Sequence, residues 1–546
     1  MSTFAEIAWS RSGDHRVGLR FEDRSWTWAQ VVAEGARRAG LLRRLGVRHV
    51  GLLLENVPDY VFWIVGAALQ GAVVVGINPT RRGAGLARDI RHTDCEMIVT
   101  ESRLTGLLDG LDLGAAVFDV DSDEYRTLLG DDAMPESLPA PDRTLLLLFS
   151  SGSTGAPKAV KCSQGRLGAL AESLAERTEL TRESVSYLCM PLFHGNSAMM
   201  NLAPAMHVGS AVCLARKFSA SGFARDVHHH GVTFVNYVGR ALSYVLAQPE
   251  SAADRRSTLR LAVGTEASPV DAERFAERFG CRVSEGYGMS EGVLRINRTA
   301  GSPPDSLGLP VGGADVRVLR EDTAAECPPA EFDEHGRLRN SAEAIGQIVA
   351  LGEASAFEGY YNNPEAQAER VRGEDFWTGD LAYRDADGYF YFAGRTADWI
   401  RVDGENFAAA SLERIVQRWE PVEAVAVYPV PDPRSGDQVM CALQVRGEFD
   451  PAAFADFLAA QPDLGTKWLP RFLRITPEIP TTASNKTAKS PLRLAAWRTH
   501  DPVYHRPTQH PGYRLFTPRA RESWERDFAT HDRTSLLPPD LGISDF

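Results

Sequence analysis

Leu145-Leu146-Leu147-Leu148-Phe149, followed at once by Ser150-Ser151-Gly152-Ser153-Thr154-Gly155-Ala156-Pro157-Lys158, is the stretch on which the fold turns. The apolar run predicts a buried strand, and the small residues after it predict a loop. Such a loop suits a phosphate: glycines let the backbone approach an anion, N–H groups and hydroxyls donate to it, and the cation closes the ring. Lys158 stands out because the chain has six lysines against 53 arginines. Arg is the default cation here, so a Lys among small residues points to a Lys-specific task. The loop is not a Walker A loop, since the spacing differs and Ala159 follows the Lys. Alone, the same residues would also make a Ser/Gly turn with a solvated Lys.

Four more stretches follow in order: Ser284-Glu285-Gly286-Tyr287-Gly288-Met289-Ser290-Glu291, Trp377-Thr378-Gly379-Asp380, Gly394-Arg395-Thr396-Ala397-Asp398, and Pro480-Thr481-Thr482-Ala483-Ser484-Asn485-Lys486. With the Ser150–Lys158 loop, their order and spacing resemble the adenylate-forming superfamily of acyl-CoA synthetases, luciferases and adenylation domains. The resemblance covers roughly residues 20 to 500. It implies an α/β fold: a large layered N-terminal domain and a small mobile α+β lid. The domains expected are 1–397 for ATP and substrate, 398–500 for the lid with the catalytic lysine, and a tail over 501–546.

The resemblance also implies roles. Ser150, Ser151, Gly152, Ser153, Thr154, Gly155 and Lys158 would cover the β- and γ-phosphates of ATP, and Thr154 and Glu291 would hold Mg2+. Tyr287 and Gly288 would face adenine, with Gly264-Thr265-Glu266-Ala267 on its other side. Asp380 would accept the ribose hydroxyls, and Arg395 would reach the ribose or α-phosphate. Lys486 would bridge the α-phosphate and the attacking oxyanion, a task that fits a compact charge on a flexible stem. The hinge position falls on Ala397, where many members carry Asp or Lys, so charged control of lid rotation is in doubt. After rotation, Gly404-Glu405-Asn406 would line the path of a slender second substrate such as CoA.

Pro191-Leu192-Phe193-His194 and the run Lys217 to Pro249 resemble the fatty-acid-transport-protein and very-long-chain acyl-CoA synthetase branch, which some bacterial diazotases also resemble. His194 would sit beside the acceptor pocket. A fatty-acyl tunnel should be apolar, yet Arg240 falls in the helix that lines it in relatives, and Arg295 adds a second charge nearby. Either both point to solvent or pair with Glu, or one faces inward. An inward Arg favours a small polar or aromatic acid, activated as acyl-AMP and passed to CoA. The alternative is a diazotase that activates nitrite as nitrosyl-AMP for attack by an aromatic amine.

Composition bounds these readings. At 546 residues the chain is too long for one core, and a net charge of −13 with no basic block argues against nucleic-acid partners. Seven scattered cysteines without a CxxC pair suit a reducing cytoplasm. Tyr60 to Ile77 is apolar but broken by Gln70 and three glycines, so a helix and a core strand are expected rather than a membrane span. Leu412, Ile415, Val416 and Trp419 share a helical face, and Val422–Val430 and Val439–Val445 read as lid strands. Residues after His500 lack a sustained period and predict a partly ordered tail against the lid. His228-His229-His230 reads as the end of a surface helix. Oligomeric state is not legible.

Overall fold

The computed structural model describes all residues except 1, 131–133, 150–157, 268, 300, 304–305, 335–337, 396–398, 403–404, 435, 462–463, 465–467, 483–485, 508–511 and 540–546; of 395, 399, 401 and 405–408 it describes the backbone alone. The chain forms two compact units. The first comprises Met1–Arg295, Glu353–Gly373 and Ala483–Lys486, and the second Ile296–Gly352, Glu374–Thr482 and Thr487–Phe546.

The first unit is built on two sheets. One runs in the order Ala116–Asp119, Met97–Thr100, His49–Leu53, Val73–Gly76, Thr144–Phe149, Ala159–Ser163, parallel except for the last pair. The other runs Arg282–Gly288, Leu261–Thr265, Phe234–Val238, Val185–Leu188, Ala211–Leu214, Val17–Phe21, Arg24–Thr27, again parallel up to the final hairpin. One core joins them: Val50, Leu52, Leu146 and Leu148 from the first sheet, Leu19, Leu188 and Val212 from the second, and Trp28, Trp63 and Leu167 from helices. Strands this apolar suit parallel sheets covered by helices.

Pro58–Gln70 shows how sequence makes such a helix. Pro58 occupies the first turn, where its missing N–H costs nothing, and Gly71 ends the helix in the left-handed region at φ 75°. Eleven of its 13 residues are buried. Thirteen residues span about 20 Å, against about 30 Å of bilayer hydrocarbon. No described helix is long and apolar enough to cross a membrane. Val73–Gly76 follows as the buried strand the sequence predicts.

The second unit holds an antiparallel sheet of Asp315–Leu319, Gly346–Leu351, Asp375–Arg384 and Phe390–Arg395. It also holds a second sheet, Val422–Pro431, Asp437–Val445, Phe472–Ile475, Val503–His505, Arg514–Leu515. Side chains along this second sheet alternate between two cores, as the period of two demands. Val427, Cys441 and Leu473 pack with Leu412, Val416, Phe454 and Leu458. Tyr428, Met440 and Phe472 pack on the other face with Leu492, Trp497 and Phe528. The helical face foreseen around Leu412 ends sooner than expected, because the helix stops at Val416. Trp419 still packs against Phe454, with ring centroids 4.9 Å apart and the rings tilted by 60°. The stretch after His500 adds two strands and the 13-residue helix Pro518–Thr530.

Candidate active site

The strands on either side of the expected phosphate loop follow the reading of the sequence. Thr144–Phe149 leads in and Ala159–Ser163 leads out, antiparallel, with Phe149 opposite Ala159. Ser150, Ser151, Gly152, Ser153, Thr154 and Gly155 lie outside the described residues. Lys158, at the exit, is half-buried; its Nζ is 3.0 Å from Glu369 Oε2 and 5.9 Å from the Tyr360 ring centroid.

Tyr360 is the residue that sequence reasoning missed. Its Oη donates to Glu291 Oε1 at 2.5 Å, and both side chains are buried. Burial first, and the Glu291 carboxylate second, push the phenol pKa well up, so the hydroxyl stays a donor. The segment carrying it is tied to strand Ala159–Ser163. Lys161 N–H donates to Gly359 O at 3.1 Å, and Tyr361 N–H to Ala159 O at 2.8 Å. The available signal was Gly359-Tyr360, a left-handed glycine (φ 92°) placing an aromatic.

Strands Leu261–Thr265 and Arg282–Gly288 are parallel neighbours with Gly264 opposite Glu285. Both therefore release their loops at the same carboxyl end of the sheet, the usual place for a ligand in open parallel sheets. That brings Thr265, Glu266 and Ala267 to the same edge as Tyr287 and Gly288. Gly264 has a packing reason: a Cβ there would lie 2.5 Å from the Tyr237 ring. Tyr237 Oη in turn donates to the Glu285 carboxylate. Tyr287 is half-buried. Lys486 belongs to this unit, and its Nζ is 2.7 Å from Glu266 Oε1.

His194 is the N-cap residue of a short helical turn, its ring 4.8 Å from that of Phe193. Burial, and then the Lys486 charge, push its pKa down to about 4. It is a neutral imidazole at physiological pH. Arg240 lies one residue before helix Ala241–Leu246 rather than within it, and its guanidinium stacks on Tyr244 at 4.9 Å. Arg295 is half-buried, its Nη1 buried without a hydrogen-bond partner. Burial lowers its pKa. Arg177 is held down to about 10 by burial and then by the Arg295 charge. Among the described residues no acid pairs with Arg295, so the Glu-paired alternative has no support there.

In the second unit, Asp380 lies in strand Asp375–Arg384 directly opposite Arg395, so the two residues expected at the ribose are backbone neighbours across the strand pair. Thr378 Oγ1 donates to Ile348 O at 2.8 Å and accepts from Asp380 N–H at 3.1 Å, where the strand's pairing register shifts. The Arg395 side chain, Ala397, Asp398 and Gly404 lie outside the described residues. Glu405–Ala408 pairs antiparallel with Trp399–Val402. The three histidines end helix Ala220–His230, and no cluster of three or more metal-ligating side chains occurs among the described residues.

The chain has relatives among known proteins. The AMP-binding enzyme family matches residues 6–361, and the chain belongs to that family. Its fold is that of adenylate-forming enzymes: the structure of the anthranilate CoA ligase AuaEII with anthranoyl-AMP aligns over 91% of this chain and 97% of its own, at TM-score 0.79 and 21% identity. In sequence it is 48% identical to the steroid-22-oyl-CoA synthetase of Rhodococcus jostii RHA1, covering 98% of this chain and 99% of that one. It is 41% identical to the medium/long-chain-fatty-acid–CoA ligase FadD17 of Mycobacterium tuberculosis H37Rv, covering 89% and 95%. The enzyme is an AMP-forming acid–CoA ligase: it activates an acid with ATP as acyl-AMP and transfers the acyl group to CoA.

Proposed function

We propose that the acid is a carboxylate carried on a steroid nucleus. The observation behind this is the 48% identity to a steroid-22-oyl-CoA synthetase over nearly the whole of both chains. The proposal moves the substrate from the small polar or aromatic acid suggested by Arg240 and Arg295 to a larger one. It keeps the second polar end: the buried, unpaired Arg295 Nη1 favours an acid with an oxygen acceptor far from its carboxylate. Nitrite activation finds no support in the named relatives and is not carried further.

In the proposed mechanism a carboxylate oxygen attacks the α-phosphorus and pyrophosphate leaves with the electron pair of the broken P–O bond. The CoA sulfur then attacks the acyl carbon and AMP departs. Lys486 neutralises charge in the first step. Thr154 and Glu291 would hold Mg2+, which offsets phosphate charge. Glu291 fits that role: Tyr360 occupies Oε1, and a single carboxylate alongside substrate phosphates is how Mg2+ is commonly held. Asp380 and Arg395 would bind ribose, and Tyr287 with Gly264 to Ala267 adenine. Residues 1–397 would form the substrate domain, 398–500 the lid, and the enzyme would work in the cytoplasm.

The test is turnover of a panel with ATP, Mg2+ and CoA: a steroid C22 acid, palmitate and anthranilate, reading pyrophosphate and thioester. Fastest kcat/KM on the steroid acid supports the proposal. A preference for palmitate or anthranilate overturns it.

A further inference from the structure

Glu266 ends strand Leu261–Thr265, in the turn before helix Pro269–Phe279. Its φ is +73°, a region that residues with side chains rarely adopt. Glycine would occupy it without penalty, yet the position carries a carboxylate. That carboxylate accepts from Lys486 Nζ at 2.7 Å, with the side chains 34% (Lys486) and 48% (Glu266) exposed.

We propose that Glu266 is a positioning residue that holds the Lys486 ammonium at the nucleotide edge of the sheet, ready for adenylate formation. The inference rests on the reading of Lys486 as the adenylation lysine. A lysine ammonium has three donors. Donating to Glu266 therefore does not by itself exhaust the group's capacity to donate to oxygens of the α-phosphate and of the acid. The long stem loses its rotamer freedom before the substrates arrive rather than at the transition state. No bond is made or broken by Glu266, and no proton moves to it.

The experiment separates the two half-reactions in Glu266→Gly, Glu266→Gln and Lys486→Ala, using the panel acid that the unmodified enzyme turns over fastest. Gly suits φ +73° and so removes the carboxylate without straining the turn. Gln keeps an oxygen acceptor without the charge. ATP–pyrophosphate exchange reads the first half-reaction, and consumption of supplied acyl-AMP with CoA reads the second. In Glu266→Gly, exchange should fall about fivefold, the scale of a half-exposed ion pair, mainly in kcat. The second half-reaction should fall less. Glu266→Gln should recover part of the loss. Adding Glu266→Gly to Lys486→Ala should cause no further loss, because the pair is already broken. Full exchange in Glu266→Gly, or the same fivefold loss in the Lys486→Ala background, would overturn the proposal. Undiminished exchange in Lys486→Ala itself would instead remove Lys486 from the reaction, a result distinguishable from the failure of Glu266.

Discussion

Tyr360 and His194 carry their predictions as single groups. Tyr360→Phe deletes one hydroxyl and leaves the ring that sits beneath Lys158 Nζ. Glu291 then loses the donor on Oε1, and a neutral donor to a buried carboxylate contributes about 1.5–3 kcal/mol. If Glu291 holds the metal, the Mg2+ concentration for half-maximal rate should rise by roughly tenfold or more, the usual scale for removing a group that orients a metal ligand. A Mg2+ titration of pyrophosphate release checks this; an unchanged titration separates Tyr360 from the metal. His194 has a folded pKa of about 4 against an ordinary 6.5. Between those values the unfolded chain binds a proton here that the folded chain does not. Stability therefore falls as pH drops from about 6.5 to about 4 and levels off below, by at most about 3 kcal/mol, and by less because the ring is partly exposed. His194→Gln should flatten that part of the denaturant-midpoint profile. An unaltered slope would show that the imidazole protonates freely.

At the scale of elements, the parallel pairing of Leu261–Thr265 with Arg282–Gly288 sets where the proposed adenine contacts would form. Gly264→Ala tests it. The added Cβ would lie 2.5 Å from the Tyr237 ring, so the strand or the ring must move. The cost should be about 1–3 kcal/mol, the usual range for overpacking. The shift should reach Thr265 and Glu266 on one side and Glu285, through Tyr237, on the other. Thermal unfolding should report the loss and the KM for ATP should rise. A less stable protein with unchanged KM would place the nucleotide elsewhere.

At the scale of the whole chain, the residues after His500 complete the second unit. Phe528 is fully buried against Trp497 and Phe472, and Arg498 grips Glu525 through two nitrogens at 2.9 and 3.0 Å. Truncation after His500 would uncover that face, so the product should bind hydrophobic dyes and lose the cooperative unfolding of this unit. Phe528→Ala is the milder form, expected to cost about 3–5 kcal/mol. Normal unfolding of both would make the segment dispensable. The sequence hid this role because the segment is rich in Pro, His, Arg and Asp and its few aromatics are too widely spaced to show a period. Much else was readable from sequence alone. The apolar run Leu145–Phe149, the Pro58–Gln70 helix and the strands around Val427 and Cys441 follow from local patterns of apolar residues and breakers, which act over a few residues. The ordered motifs were enough to name the superfamily, because loop chemistry depends on residue type and spacing. What only the tertiary structure decided were contacts between distant positions: Tyr360 on Glu291, Glu266 on Lys486, and Arg295 half-buried with no acid paired to it among the described residues. Such contacts are made by chain packing across tens to hundreds of residues, and no local pattern in the sequence encodes which side chains will meet.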